Sequence, residues 1–401
     1  MSNQPKTAYV CLISEHNIAE LESCLYHQPS DIVLVVTTSM DKHANHFHRV
    51  IQEKLPNSQI HRPYDASFPL QGDNVANTKT WIANVLTPTL NHLQAARYGL
   101  NLTGGTKLLA LGIAQSREWD WIDYKSFGKK DIGIFYQSPT ASPALPDTIP
   151  APIVQIADAA RLYVEDYLSS TEKWAAVDLA HRQHLAQKIW YALEGEQHAS
   201  DPVLATLFKY FSQQWYGTAF TDTLPVDDPA LAEWVKAFDT LLPGSIALDN
   251  DGRLFLSKSG KSKAWQKWIS GGWLEELAYG WLIEEGMNDT QIALNVTNHR
   301  NSEQGREVDI IGLLNGQLFI VEAKADKQPE QSNGQLVQQL LSIDVYGKSK
   351  KILLLGPEAR RTMQRKGEQQ RSWQDFEARC QASFVKLACS RPELIKSVFN
   401  R

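Results

Sequence analysis

The chain has 401 residues, 43% of them hydrophobic and 21% charged, with a formal net charge of −5. That is material for two or three ordinary cores, and it excludes collagen-like, disordered and disulfide-scaffold classes. No apolar run approaches the roughly 20 residues of a membrane helix, the start Met-Ser-Asn-Gln-Pro-Lys carries no signal pattern, and Cys11, Cys24, Cys380 and Cys389 form no CxxC pair. The expectation is a soluble, reduced, cytoplasmic protein with no membrane partner and no implied zinc or disulfide framework.

In chain order, Ala8–Ser14 and Asp31–Thr38 are short, fully apolar runs, which predicts buried parallel strands. The spacing predicts helices over Asn17–His27, Asp41–Leu55, Thr78–Leu86, Leu90–Arg97 and Leu108–Gln115, with strands at Ser58–Arg62 and Gly99–Leu102. Trp119–Tyr124 and Asp131–Gln137 predict a terminal hairpin across Gly128-Lys129-Lys130. Alternating strands and helices give residues 1–140 an open, mostly parallel α/β sheet. Ser138–Pro152 holds five prolines and reads as a linker. Residues 153–242 are mainly helical in pattern, and Asp249-Asn250-Asp251-Gly252 predicts a hairpin turn; a winged helix or a plain connector would fit. The expected division is 1–140, a connector at 141–250, and a third unit at 251–401. In that unit the pattern predicts a helix at Trp273–Glu285, strands at Gln291–Thr297, Arg306–Leu314 and Gln317–Ala325, a helix at Gln335–Tyr346 and a strand at Lys351–Leu355. That order is an α/β layout with a mixed sheet.

The strongest chemical signal lies in the third unit. Asn315-Gly316 between two apolar runs predicts a two-residue type I′ turn. Leu314 then faces Gln317, and stepping back along both strands sets Asp309 opposite Glu322 and Glu307 opposite Lys324. All four share one face, beyond the apolar Ile311, Leu313, Leu318 and Ile320. Opposed like charges are destabilising, and a hard divalent cation held by both carboxylates would offset the repulsion. Lys324 would then reach a metal-bound water or a phosphate oxygen, a constellation suited to metal-assisted phosphodiester hydrolysis. A strand-end ion pair is the plain alternative. On the preceding helix, Glu275 flanks an apolar stripe (Leu274, Leu277, Ala278, Trp281, Leu282) and Glu276 points away from it. Glu275 is therefore either an inward acid or a rim residue.

Glu275, Asp309 and Glu322-Ala323-Lys324 resemble the PD-(D/E)xK nuclease superfamily over about Gly271–Gly356, with Val308 where that pattern usually has proline. The resemblance implies Glu275, Asp309, Glu322 and Lys324 as catalytic residues, the three acids as ligands for Mn2+ or Mg2+, and support from Gln335, Gln338 or Gln339.

A second signal is Thr103-Gly104-Gly105-Thr106-Lys107, running from strand to helix. Two glycines let the backbone approach a ligand, and free helix N–H groups suit an anion. It satisfies neither the P-loop nor the GxGxxG pattern, and a tight turn with a helix cap is the alternative. Ser14-Glu15-His16-Asn17 and Thr37-Thr38-Ser39 lie on the same carboxyl edge, where open α/β sheets bind ligands. These segments resemble the Rossmann-like CRISPR-associated (CARF) sensor domains. A CARF-like half followed by a restriction-endonuclease-like half resembles the cyclic-oligoadenylate-activated ancillary nucleases of type III CRISPR systems. That resemblance implies a homodimer, a cyclic oligoadenylate (cyclic tetra-adenylate first among them) on the two-fold axis, and cleavage of DNA, RNA or both. It also implies ring contacts from Ser14, Thr38, Ser39, Thr103, Gly104, Gly105, Thr106 and Lys107. An ungated restriction- or repair-type nuclease and a non-catalytic nucleotide sensor are the competing readings.

Charge is unevenly spread: residues 1–140 balance, 141–340 carry 15 basic against 27 acidic residues, and 341–401 carry 13 against 6. The basic stretch Arg360, Arg361, Arg365, Lys366 and Arg371 reads as phosphate-contacting or as plain surface. Trp265, Lys267, Trp268 and Trp273 read as a stacking groove or as core. His43, His46 and His48, and likewise His181 and His184, read as a solvated helix face.

Overall fold

The computed structural model describes residues 5–141, 143–164, 168–169, 178–194, 201–216, 228–248, 254–257, 263–298, 306–325, 337, 340–341, 349–357 and 368–400. The N-terminal unit runs β1 (Thr7–Leu12), α1 (Ile18–His27), β2 (Asp31–Val35), α2 (Asp41–Lys54), β3 (Gln59–His61), α3 (Val75–Trp81), α4 (Thr87–Leu93), β4 (Arg97–Asn101), α5 (Lys107–Ala114), β5 (Trp121–Tyr124), β6 (Asp131–Gln137) and β7 (Thr148–Pro150). Its strands lie in the order β3-β2-β1-β4-β5-β6-β7. The first five are parallel, and β6 runs antiparallel to both of its neighbours, β5 and β7. β2 is buried throughout and β1 in all but its first residue, because helices cover both faces of the sheet. The chain reverses its direction of growth between β1 and β4, which opens a crevice at their carboxyl ends.

The proline-rich stretch does more than connect. Thr148–Pro150 pairs with β6, so the β5–β6 hairpin does not end the sheet. Proline is tolerated there because an edge strand needs no donor on its outer side. The chain then forms α6 (Ile156–Arg161). Asp158 pairs with Lys54 at 2.7 Å, Arg161 pairs with Glu53, and Arg49 donates to the Val164 carbonyl at 3.1 Å. His46, expected on a solvated face, is instead buried there, its Nδ1 3.3 Å from the Leu162 carbonyl, because α6 and the residues after it cover this side of α2.

The rest of the chain runs β8 (Leu168–Ser169), α7 (Leu179–Glu194), α8 (Pro202–Tyr216), α9 (Pro229–Leu241), β9 (Ile246–Leu248), β10 (Leu254–Leu256), α10 (Lys263–Lys267), α11 (Trp273–Glu284), β11 (Ile292–Asn298), β12 (Arg306–Leu314), β13 (Gln317–Lys324), β14 (Lys350–Leu355), α12 (Glu368–Ala382), β15 (Val385–Ala388) and α13 (Arg391–Phe399). The second sheet has the order β15-β14-β13-β12-β11-β8. It is mixed: β11, β12 and β13 are antiparallel, while β14 and β15 run parallel to β13.

One buried cluster packs α7, α8, α9 and α11 onto one face of this sheet, and Trp265, Trp268 and Trp273 belong to it. The tryptophans are therefore core, and the helical middle is a layer of the second unit. A second cluster continues from Tyr9, Leu34 and Phe47 of the first unit through Ile156 and Ala160 to Ile311, Ile320, Leu353 and Phe376. The Asp249–Gly252 turn, Gln335, Gln338, Gln339, Arg360, Arg361, Arg365 and Lys366 lie outside the described residues.

Candidate functional site

At the β12–β13 turn, Asn315 and Gly316 both have positive φ (52° and 75°), as a type I′ turn requires. The register follows from it: Leu314 pairs with Gln317, and the ladder continues in step to Ile310 and Val321. One step further it opens. β12 stays paired with β11, and β13 stays paired with β14 through Glu322, Ala323 and Lys324. The two strands part like a fork at the Asp309–Glu322 position. The Ala323 N–H released by the parting donates to Asp309 Oδ2 at 2.8 Å.

Inside this fork Asp309 is 8% and Glu275 9% exposed. Burial, followed by the Asp309 charge, pushes the Glu322 carboxyl up to about 7, against the pull of Lys324. Lys324 Nζ donates to Glu322 Oε1 at 2.5 Å. Burial alone would lower the Lys324 ammonium, but Glu322, Asp309 and Glu275 outweigh it and hold it above its usual value. Glu275, Asp309 and Glu322 thus all act on Lys324, whereas Glu307, expected opposite Lys324, pairs with Lys267 because the ladder ends before it. Buried oxygen donors of this kind match a hard divalent cation in chemistry. As placed, Lys324 and the Ala323 amide engage two of the acids, and among the described residues no three acidic, imidazole or thiol groups stand close enough to hold an ion.

Glu276 points away from the apolar stripe, but not into solvent. The α7 helix covers it, Arg182 Nε donates to both carboxylate oxygens at 2.9 and 3.0 Å, and Trp268 Nε1 donates at 2.7 Å. Burial raises its carboxyl while Arg182 and Trp268 pull it back. This is a structural ion pair.

At the carboxyl edge of the first sheet, a pocket of about 240 Å³ is lined by Ser14 and His16 after β1, Thr103, Gly104 and Gly105 after β4, and Lys125 after β5. Of the ring contacts expected from sequence, Ser14, Thr103, Gly104 and Gly105 line it. Thr38 and Ser39 form an exposed 3-10 turn on the same edge. Thr106 caps α5, accepting from Leu109 N–H and donating to the Gly72 carbonyl, and Lys107 is exposed in the first turn of α5.

The glycine-bearing turn is held from below. Asn101 Oδ1 accepts from Thr103 N–H at 2.9 Å, while its amide nitrogen donates to Asp123 Oδ1 at 2.8 Å and Ser23 Oγ at 3.1 Å. A Cβ on Gly104 would lie 1.9 Å from the Leu12 carbonyl oxygen and 2.5 Å from Glu20 Oε1, so no other residue fits. Glu20 is wholly buried, and among the described residues its carboxyl meets no partner beyond its own backbone amide. Burial pushes it up to about 8, with Glu22 and Asp123 adding to the rise.

Sequence reasoning missed Lys125, Tyr163 and the β12–β13 turn as parts of this pocket. Lys125 N–H donates to Thr103 Oγ1 at 3.0 Å, and its ammonium pairs with buried Glu22. Tyr163 follows α6, and Asn315, Gly316 and Leu318 close the remaining wall. A Cβ on Gly316 would lie 3.0 Å from both Glu22 Oε2 and Lys125 Nζ. Lys125 was reachable from sequence, since it follows β5 on the carboxyl edge where the pocket was expected. The turn was not, because contact between two units leaves no local pattern.

Residues 262–356 match the family model described as the Card1-like endonuclease domain. A search of the curated proteins finds no match. Among solved structures, Can2 from Sulfobacillus thermosulfidooxidans, in complex with cyclic tetra-adenylate, superposes with a TM-score of 0.65 at 16% identity, covering 98% of each chain. Protein VC1899 from Vibrio cholerae gives 0.67 at 16% identity, covering 98% of this chain and 96% of its own. A type III CRISPR defence DNA nuclease activated by cyclic oligoadenylate gives 0.50 at 14% identity, covering 88% of this chain and 46% of its own. The chain is therefore similar in fold, from end to end, to Can2 and VC1899, and its residues 262–356 match the Card1-like endonuclease domain.

Proposed function

We propose that the chain is a cyclic-oligoadenylate-activated, metal-dependent nuclease of type III CRISPR antiviral defence, cleaving DNA, RNA or both as a cytoplasmic homodimer. One observation carries this reading: a single hairpin has its turn in the wall of the nucleotide-type pocket and its acids at the opposite, open end. The endonuclease-domain match supports the second half, and the cyclic tetra-adenylate seen with Can2 supports that ring as activator. In this reading residues 1–140 sense and 251–401 cut, while 141–250, expected as a connector, lends β7 and α6 to the first unit and α7 to α9 to the core of the second.

The ring rests on Ser14 and on Thr103 to Gly105, with Thr38, Ser39, Thr106 and Lys107 along the same edge. At about 240 Å³ the pocket of one chain is below the roughly 300–1,000 Å³ of an ordinary ligand site, which supports a ring shared between two copies across a two-fold axis. A ligand there presses on the residues that support Gly316 and favours one arrangement of the hairpin over another, a population shift. Glu275, Asp309 and Glu322 would hold the cation, manganese or magnesium. When bound, it supplies Lewis-acid polarisation of the phosphate and an ionised water at neutral pH. Lys324, released from Glu322, neutralises charge on the scissile phosphate.

The test is a cleavage assay over DNA and RNA substrates, crossed with activators of different ring size and a chelator control. Cutting that needs both activator and metal is expected, and Asp309→Ala should abolish it while leaving activator binding intact. Full cutting with metal alone would refute gating, and unchanged cutting by Asp309→Ala would refute the site.

A further inference from the structure

Asn295 lies in the middle of β11 with φ +54°, a left-handed conformation that no regular strand adopts. It stands where the β11–β12 ladder should pair it with Asp309. The pairing runs from Leu294–Ile310 to Val296–Val308 in one register and skips this step. Leu294 and Ile310 pack into one core, whereas Val296 and Val308, two residues on, pack into the other. Strict alternation would keep them on the same side. The two strands therefore twist together at Asn295 and Asp309, and a local irregularity of this kind is a means of re-aiming side chains.

The left-handed turn carries the Asn295 side chain, 6% exposed, between two carboxylates. With its amide nitrogen turned toward them, as acceptors on both sides require, it donates to Glu275 Oε2 at 2.8 Å and to Glu307 Oε1 at 2.9 Å. Glu307 Oε1 is also fixed by Lys267 Nζ at 2.6 Å. The amide thus ties the helix-borne acid Glu275 to a strand residue two positions from Asp309. Backbone strain that persists inside a cluster of acids has to be over-determined by its surroundings, and it gathers at functional sites.

We propose that Asn295 is a positioning residue: its amide, anchored through Glu307 and Lys267, holds the Glu275 carboxylate on the side from which it would join Asp309 and Glu322 around a cation once Lys324 leaves Glu322. The proposal rests on the nuclease reading above. Groups that orient metal ligands without touching the metal typically contribute roughly 10- to 100-fold in affinity.

The experiment compares wild type, Asn295→Gly and Asp309→Ala in manganese binding by titration calorimetry, thermal unfolding with chelator, and cleavage against manganese concentration. Glycine adopts φ +54° without strain, so Asn295→Gly keeps the backbone. Its metal-free unfolding temperature should stay at the wild-type value or rise. Its manganese Kd should rise roughly 10- to 100-fold, and cleavage should recover as manganese is raised toward saturation. Wild-type manganese affinity in Asn295→Gly, with binding lost in Asp309→Ala, would overturn the role of Asn295 alone. Absence of binding in wild type, or binding untouched by Asp309→Ala, would overturn the site reading and this proposal together.

Discussion

Replacing Glu20 by glutamine tests the pocket at the carboxyl edge of the first sheet from beneath. The native carboxyl holds its proton up to a pH of about 8, whereas the usual carboxylate value is 4.5. Between those values the folded chain keeps a proton that the unfolded chain releases, so stability is fully present below 4.5 and declines as pH rises toward 8. The decline is about 1.4 kcal/mol per pH unit. Glutamine does not ionise, so the stability of Glu20→Gln lacks this slope. Any fixed cost of the new amide is the same at every pH. From about pH 5 to about pH 7 the variant should therefore gain about 3 kcal/mol on wild type. Urea-unfolding midpoints of both proteins across that range measure it. A difference that changes by less than about 1 kcal/mol would refute the argument that burial outweighs the backbone hydrogen bond on Glu20. Above pH 8 the charge appears directly under Gly104, so an anionic ring should bind wild type less tightly and Glu20→Gln as before.

Three further outcomes are expected. Gly104→Ala forces the turn off the Leu12 carbonyl, so activator binding, followed by calorimetry, should be lost while chelator-free manganese binding is retained. Arg182→Met leaves the buried Glu276 carboxylate without its cation, a loss of about 3–5 kcal/mol on chemical denaturation, detectable as a lowered unfolding midpoint. In chelated protein, Glu322→Gln should gain stability relative to wild type as pH rises from 4.5 to about 7, because the native Glu322 carboxyl resists ionisation there. A flat difference across that range would show that Asp309 and burial do not act on Glu322 as described.

Much of this was legible in the sequence where the physics is local. Continuous apolar runs gave away β1 and β2, because a parallel strand is buried on both faces. Asn315-Gly316 set the hairpin register, because both residues tolerate positive φ. What escaped depends on distant partners. The fork at Asp309 arises because β13 follows β14 while β12 follows β11. Nothing in the spacing of a hairpin reports its outer neighbours. Glu276 is buried because α7, nearly a hundred residues earlier, covers it. Thr148–Pro150 became a strand although prolines surround it, since the edge of β6 offered a partner. Asn295 sits in an ordinary-looking β run and betrays its left-handed backbone by no neighbouring glycine.

The apolar interior that passes without a break from Phe47 through Ile156 to Ile320 and Phe376 bears on how such a molecule can be taken apart. A cut anywhere near residue 140 or 250 would bare greasy surface on both fragments, so neither half is expected to survive as a well-behaved separate product. Grafting a foreign domain onto the second unit would mean redesigning the shared interior as well as the joint, and natural variants that change one half must accommodate the other in the same step.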